Sequence, residues 1–178
     1  MKRNVLLILV AAIIISAAAV GGTFAWLAVR TSVTNTFVVG DISISINETT
    51  GTTYPLVPGA QIPKDPKIVV HTGSAACYVF VKIEKTSEFD NYISYTVADG
   101  WTELESGVYY RISELASSDV TYHVLSGDSV WVNSNLTEAD MSELKASKDY
   151  PELSFTAYAV QMSGVEGINE AWELVKNY

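Results

Sequence analysis

The sequence predicts a mainly β protein: an antiparallel β-sandwich with one or two short peripheral helices, preceded by an apolar amino-terminal helix. Three observations predict it. Eight or so short stretches rich in β-branched and aromatic residues are separated by Gly, Pro, Asn and Asp turn signals. Several of these stretches alternate strictly between apolar and polar residues, the period-2 pattern of a half-buried strand. No strand alternates with a long helical pattern, so the crossovers of a parallel sheet are missing.

Taken in chain order, the first element is an export signal. Met1-Lys2-Arg3 is positive, Val5 to Val20 is apolar, and Gly21-Gly22 breaks the helix. Thr23-Phe24-Ala25 then offers a small-residue cleavage site with Trp26 as the new amino terminus. Residues 1–25 thus read as a signal peptide and 26–178 as one sandwich domain. An uncleaved anchor is the competing reading, because Asn4 to Val29 is uncharged and long enough to span a bilayer.

Thr34 to Val39 has strand composition, with Gly40 as a bend or bulge, and Ile42, Ile44 and Ile46 alternate with Ser43, Ser45 and Asn47. Thr49 to Pro66 is punctuated by Gly and Pro and reads as a loop. Strands are expected at Lys67–His71, Cys77–Glu84, Ile93–Val97, Val108–Ile112, Val120–Ser126, Ser129–Asn133 and Leu153–Met162. In the second of these, Cys77, Val79, Val81 and Ile83 form one face. The other face begins with Tyr78 and Phe80 and ends with Lys82 and Glu84, so the strand should run from a two-sided core to a solvated rim. Thr72-Gly73-Ser74 reads as a turn, and Asp99-Gly100 and Ser126-Gly127-Asp128 as hairpin-type turns. Thr137 with Asp140 resembles a capping box opening a short helix to Ala146 that buries Met141 and Leu144. Ile168, Trp172 and Val175 share one face of a second helix, set to pack Trp172 on the sheet.

Composition narrows the function classes. Beyond Ala25 the chain has nine basic against 20 acidic residues, a net −11, which argues against nucleic-acid or anionic-membrane binding. Roughly 150 residues can bury about two-thirds of their unfolded surface, so a core without disulfides or metal suffices. The single cysteine, Cys77, lies in an apolar run and reads as a buried small hydrophobe.

Gly21-Gly22-Thr23-Phe24-Ala25-Trp26-Leu27, followed by Asn35-Thr36-Phe37-Val38-Val39-Gly40-Asp41-Ile42-Ser43-Ile44, resembles the start of the TasA/camelysin family. Tyr54-Pro55-Leu56-Val57-Pro58-Gly59 and Lys64-Asp65-Pro66 are also similar to it, more loosely. Where members carry an acidic residue after the aromatic block, this chain has Ala28-Val29-Arg30, so the cut is placed only to within a few residues. The resemblance implies a jelly roll in particular, which spacing alone does not distinguish from an immunoglobulin-like topology. It also implies cleavage between Ala25 and Trp26 by a signal peptidase of the SipW type, and secretion from a Gram-positive cell to the matrix or cell surface. There Asn47-Glu48-Thr49 and Asn135-Leu136-Thr137 carry little weight as glycosylation sites.

Catalytic motifs are scarce. His71 and His123 are the two histidines, and neither belongs to a paired-histidine helix. The chain has no G-x-S-x-G, phosphate loop or Gly-rich dinucleotide loop. Glu103 and Glu105 read as a solvated face rather than an acid/base pair. No catalytic residue, metal ligand or cofactor is expected, although camelysin relatives are often labelled metalloproteases.

The expected function is therefore a secreted structural protein similar to TasA. Its partners would be further copies in a fibre, or other matrix and cell-surface proteins. Membrane contact would come only through the uncleaved signal. Cleavage would free an arm, residues 26–39, rich in β-branched residues including Thr31, Val33, Thr36 and Val38, able to add as a strand to a neighbour's sheet. A camelysin-like metalloprotease is one alternative. A carbohydrate-binding surface module is the other, drawing on the aromatic cluster of Tyr92, Tyr95, Trp101, Tyr109, Tyr110 and Trp131.

Overall fold

The strict alternation around Cys77 builds the strand on which the fold is organised. The computed structural model describes residues 41–51 and 53–177, all within one compact unit. The leader, the Ala25/Trp26 junction and the arm with Thr31, Val33, Thr36 and Val38 lie outside the described residues.

The described strands are β1 (Ile44–Asn47), β2 (Gln61–Pro63), β3 (Lys67–Val70), β4 (Cys77–Lys85), β5 (Ile93–Ser94), β6 (Thr102–Glu105), β7 (Val108–Ser113), β8 (Val120–His123), β9 (Ser129–Val132) and β10 (Leu153–Gln161). The helices are α1 (Phe89–Tyr92), α2 (Glu138–Ser147) and α3 (Ile168–Val175), with a 3₁₀ turn at Ser126–Asp128. The strands form three antiparallel sheets in the orders β10-β4-β7-β6, β1-β3-β8 and β2-β9-β5. The protein is thus mainly β with few helices, as its patterning predicts.

The two three-stranded sheets are continuous with one another. Chain flows from β2 into β3 and, in the opposite direction, from β8 into β9. Val124 N donates to Pro66 O (3.0 Å) and Lys64 N to Asp128 O (2.8 Å) across the junction. Together they present Ile62, Ile68, Val70, Ile93, Val130 and Val132 to the four-stranded sheet, which contributes Cys77, Val79, Val81 and Ile83. All four β4 residues are at most 5% exposed, as the alternation of that strand requires.

The reverse face of β4 carries a second, smaller core. Phe80 and Val108 pack there with Ala171 and Trp172 of α3, flanked by Tyr78, Tyr110, Tyr158, Ile168 and Val175. The Trp172 ring lies 5.3 Å from Phe80 and 5.5 Å, edge-on, from Tyr158, and its Nε1 donates to Glu105 Oε1 (2.8 Å). Lys82 is half-buried and Glu84 exposed, so the strand does run out to a rim. Thr137 and Asp140 form the reciprocal capping box at the start of α2, which buries Leu144 and half-buries Met141.

Four details differ from expectation. The presumed loop Thr49–Pro66 contains β2, three residues ending in Pro63, too short for periodicity to register. The polar run Thr102–Glu105 is a strand at the sheet border, where the exposed edge tolerates Glu103 and Glu105 on either side of a register irregularity. Ser126–Asp128 is a jog between collinear strands rather than a hairpin, and Asp99-Gly100 carries the chain between sheets. The hairpin turn proper is Ser106-Gly107, between β6 and β7. Gly107 has φ 77°, and a Cβ there would stand 2.8 Å from Ile83 O, so both backbone conformation and space favour glycine.

Candidate functional site

A strand at a sheet border presents unpaired N–H and C=O groups, and folded proteins ordinarily protect it with charge, proline, bulges or shortness. Among the described residues the borders are unequal. β6 has four residues, two of them glutamates, and a register irregularity between Glu103 and Glu105. β2 has three residues and ends in Pro63, and β5 has two. β1 and β8 have four each, and the chain just beyond β8 is covered by the Val97–Leu125 bridge and by Ala98 N donating to Val124 O (2.9 Å).

β10 has none of these protections. It is nine residues long, Leu-Ser-Phe-Thr-Ala-Tyr-Ala-Val-Gln, with no charge, proline or glycine, and it pairs residue for residue with β4 without a bulge. At about 3.4 Å per residue it offers an edge of about 30 Å. Alternate residues of an antiparallel strand direct their backbone groups away from the partner, so about four residues' worth of donors and acceptors face outward. Phe155, Ala157 and Ala159 pack into the first core and Tyr158 and Val160 into the second, so a strand added here would prolong both.

The described chain begins beside the end of this edge. Ala75 N donates to Asp41 O (3.2 Å), and Met162 N donates to the adjacent Ala76 O (3.0 Å). The other end of β10 is flanked by a polar clamp. Lys64 lies 2.7 Å from Glu48 Oε1 and 5.9 Å from the Phe155 ring centroid, close enough for a cation–π contact. Next to it the buried Asp65 accepts from Thr49 N (2.9 Å), Thr49 Oγ1 (2.6 Å), Thr50 N (2.9 Å) and Lys67 Nζ (2.9 Å). The Thr49 hydroxyl, then Lys67 and the Thr50 amide, hold its carboxyl well below the usual range. Asp65 was visible only as part of Lys64-Asp65-Pro66, because its partners Thr49 and Thr50 come from a separate segment.

The other residues singled out by sequence do not converge on one site. His71 stands just past the Val70–Val120 pair and His123 opposite Lys67, about 14 Å apart along the β3–β8 ladder. Each contacts its own aspartate, His71 with Asp119 (3.2 Å) and His123 with Asp128 (2.8 Å). Hydrogen bonds from Thr72 N and His71 hold the Asp119 carboxyl low. Cys77 is fully buried, and burial pushes its thiol up, away from the reactive thiolate. Glu105 is engaged with Trp172, while Glu103 lies opposite Tyr109 in the β6–β7 pair. Trp101 donates to His123 O (2.8 Å) and meets Tyr122 edge-on, with the Arg111 guanidinium over both rings, whereas Trp131 stands half-exposed on β9. Tyr109 and Tyr110 face opposite cores. Tyr95 packs edge-on to Phe89 at 6.0 Å and Tyr92 borders the first core, so the aromatic cluster of the sequence is dispersed in space.

Among the described residues the fold therefore defines a class, a mainly β antiparallel protein with a long border strand, β10, that lies near β1 but pairs with no described strand on its outer side. Comparison with models of protein families, with curated proteins and with solved structures gave no match.

Proposed function

We propose that this chain is a secreted structural protein of the extracellular matrix or cell surface, like the TasA/camelysin proteins that its residues 21–46 resemble, and that it assembles into fibres by strand addition. In this reading a peptidase of the SipW type cuts between Ala25 and Trp26, and the freed arm, residues 26–39, lies along an open edge of the next copy. The carrying observation is the β10 edge: about 30 Å of regular strand that no described strand pairs on its outer side, with side chains reaching into both cores. The jelly-roll reading belongs with it. Its support is that strands distant in sequence pair across the middle of each layer, β2 and β3 with β9 and β8, and β4 with β7 and β10.

The start of the described chain gives the proposal a direction. An arm entering at Asp41 meets the carboxyl end of β10, so on its own chain's edge it could lie only parallel to that strand. A neighbour's arm is free to pair antiparallel, the slightly more stable ladder. A metal-dependent protease has less support, since His71 and His123 are separated along the ladder and each is engaged by its own aspartate.

The test is electron microscopy of protein beginning at Trp26, intact and lacking residues 26–36, with a Ser154→Lys variant alongside. Ser154 is exposed and lies opposite Glu84, so the lysine should charge the edge without disturbing the fold. Filaments are expected from the intact form, none from the shortened form and fewer from the lysine variant. Unchanged filaments without the arm would sink the proposal.

A further inference from the structure

The outer face of the β2-β9-β5 sheet carries an open groove of about 430 Å³ whose walls include Asp90, Ser94, Trp131, Asn133 and Ser134. Trp131 is 50% exposed although it sits on the middle strand of its sheet, between Gln61 and Ser94. A ring in that position is held on a backbone paired on both sides, so its flat face is presented at little entropic cost. The polar groups around it fall into two kinds. Asn133 is committed to the fold: its Nδ2 donates to Asn91 O (3.2 Å) and its Oδ1 accepts from Asn135 N (3.0 Å). The Ser94 and Ser134 hydroxyls make no hydrogen bond among the described residues, and Asp90 uses Oδ2 for Lys85 (2.5 Å) while Oδ1 has no such partner.

We propose that this groove binds a neutral saccharide, one sugar ring stacking on Trp131 while its hydroxyls bond to Asp90, Ser94 and Ser134. A pyranose offers an apolar C–H face to an indole and a rim of hydroxyls that donate and accept. The groove answers with one aromatic face, an acceptor-only carboxylate and two hydroxyls that do both. A protein partner would find a poor anchor, because the neighbouring Ile93 and Val132 are at most 8% exposed and Trp131 stands as the one open apolar side chain of the wall. Asp90 and the net charge of −9 oppose an anionic ligand. The groove lies on a different sheet from β10 and does not depend on the assembly reading.

The experiment titrates the purified protein with cellotetraose, chitotetraose and maltotetraose, read by tryptophan fluorescence and by the indole N–H resonance of Trp131. Saturable binding of at least one is expected. Trp131→Ala should weaken it about tenfold or more, Trp131→Tyr should retain most of it, and the Ser94→Ala/Ser134→Ala pair should fall between. The thermal midpoint of Trp131→Ala should stay that of the parent, because the ring is half in solvent. The proposal is overturned if none of the three binds at about 1 mM, or if binding ignores the loss of the ring. It is equally overturned if Trp131→Ala alters self-association and leaves sugar binding intact, which would assign the ring to a subunit contact.

Discussion

Asp65 shows how one buried carboxylate ties distant segments together. It gathers the Thr49–Thr50 backbone and the Lys67 ammonium, and so fixes the chain after β1 to the start of β3. Because its folded pKa is depressed, the stabilisation is fully present above the unfolded value of about 4 and is lost as the pH falls from there towards the folded value. Denaturant unfolding of the parent and of Asp65→Asn should therefore differ most at neutral pH and converge in acid. A gap that is constant with pH would mean that the charge contributes nothing. Cys77 makes a complementary prediction. With its thiol enclosed and its ionisation suppressed, an alkylating reagent should modify it at the rate of unfolding and no faster.

At the scale of elements, α3 and α2 are held by different means. α3 depends on burial: Trp172 is 4% exposed, packed on Phe80 and Tyr158 and bonded to Glu105. Trp172→Ala should cost about 3–5 kcal/mol in a denaturant titration, from the range for large aromatic truncations. α2 depends on its end, where Thr137 Oγ1 accepts from Asp140 N (3.3 Å) and Thr137 N donates to Asp140 Oδ2 (2.7 Å). Thr137→Ala should cost about 1 kcal/mol by the same measurement. Both helices were legible beforehand, the first from an apolar stripe and the second from a capping pattern, because both signals are local. β4 and β10 were legible for the same reason. The border strand β6 was not, since Thr-Glu-Leu-Glu has the composition of a surface loop and becomes a strand only because β7 lies beside it.

At the scale of the whole molecule, the layering followed from composition but the wiring did not. Turn residues announce that the chain bends, not which sheet it joins next. Asp99-Gly100 and Ser126-Gly127-Asp128 carry the chemistry of hairpins, yet one crosses between sheets and the other offsets two strands that run on in line. The β10 border was hidden for a related reason: an apolar, regular strand reads the same at a border as in the middle of a sheet. The sequence search for a site therefore looked to the amino-terminal arm and to aromatic composition. The features that structure adds, an open edge and a groove beside Trp131, arise from which strands are neighbours.

The longest ladder, β4 with β10, also governs the order in which the protein can acquire its shape. It joins residues roughly 70 to 85 positions apart, non-local pairing that must overcome loop closure before any contact rewards it, so folding should fall in the slow, millisecond-to-second range of β topologies. Until Leu153–Gln161 arrives, β4, the described strand with the most buried residues, has one side bare. A chain cut short before Leu153 should thus be sticky rather than merely weak, aggregating where a loss confined to α3 would only destabilise. Completion waits on the last of the described strands to be synthesised. Under the export we propose, such lateness would keep the chain extended and passable through a narrow channel until it is out.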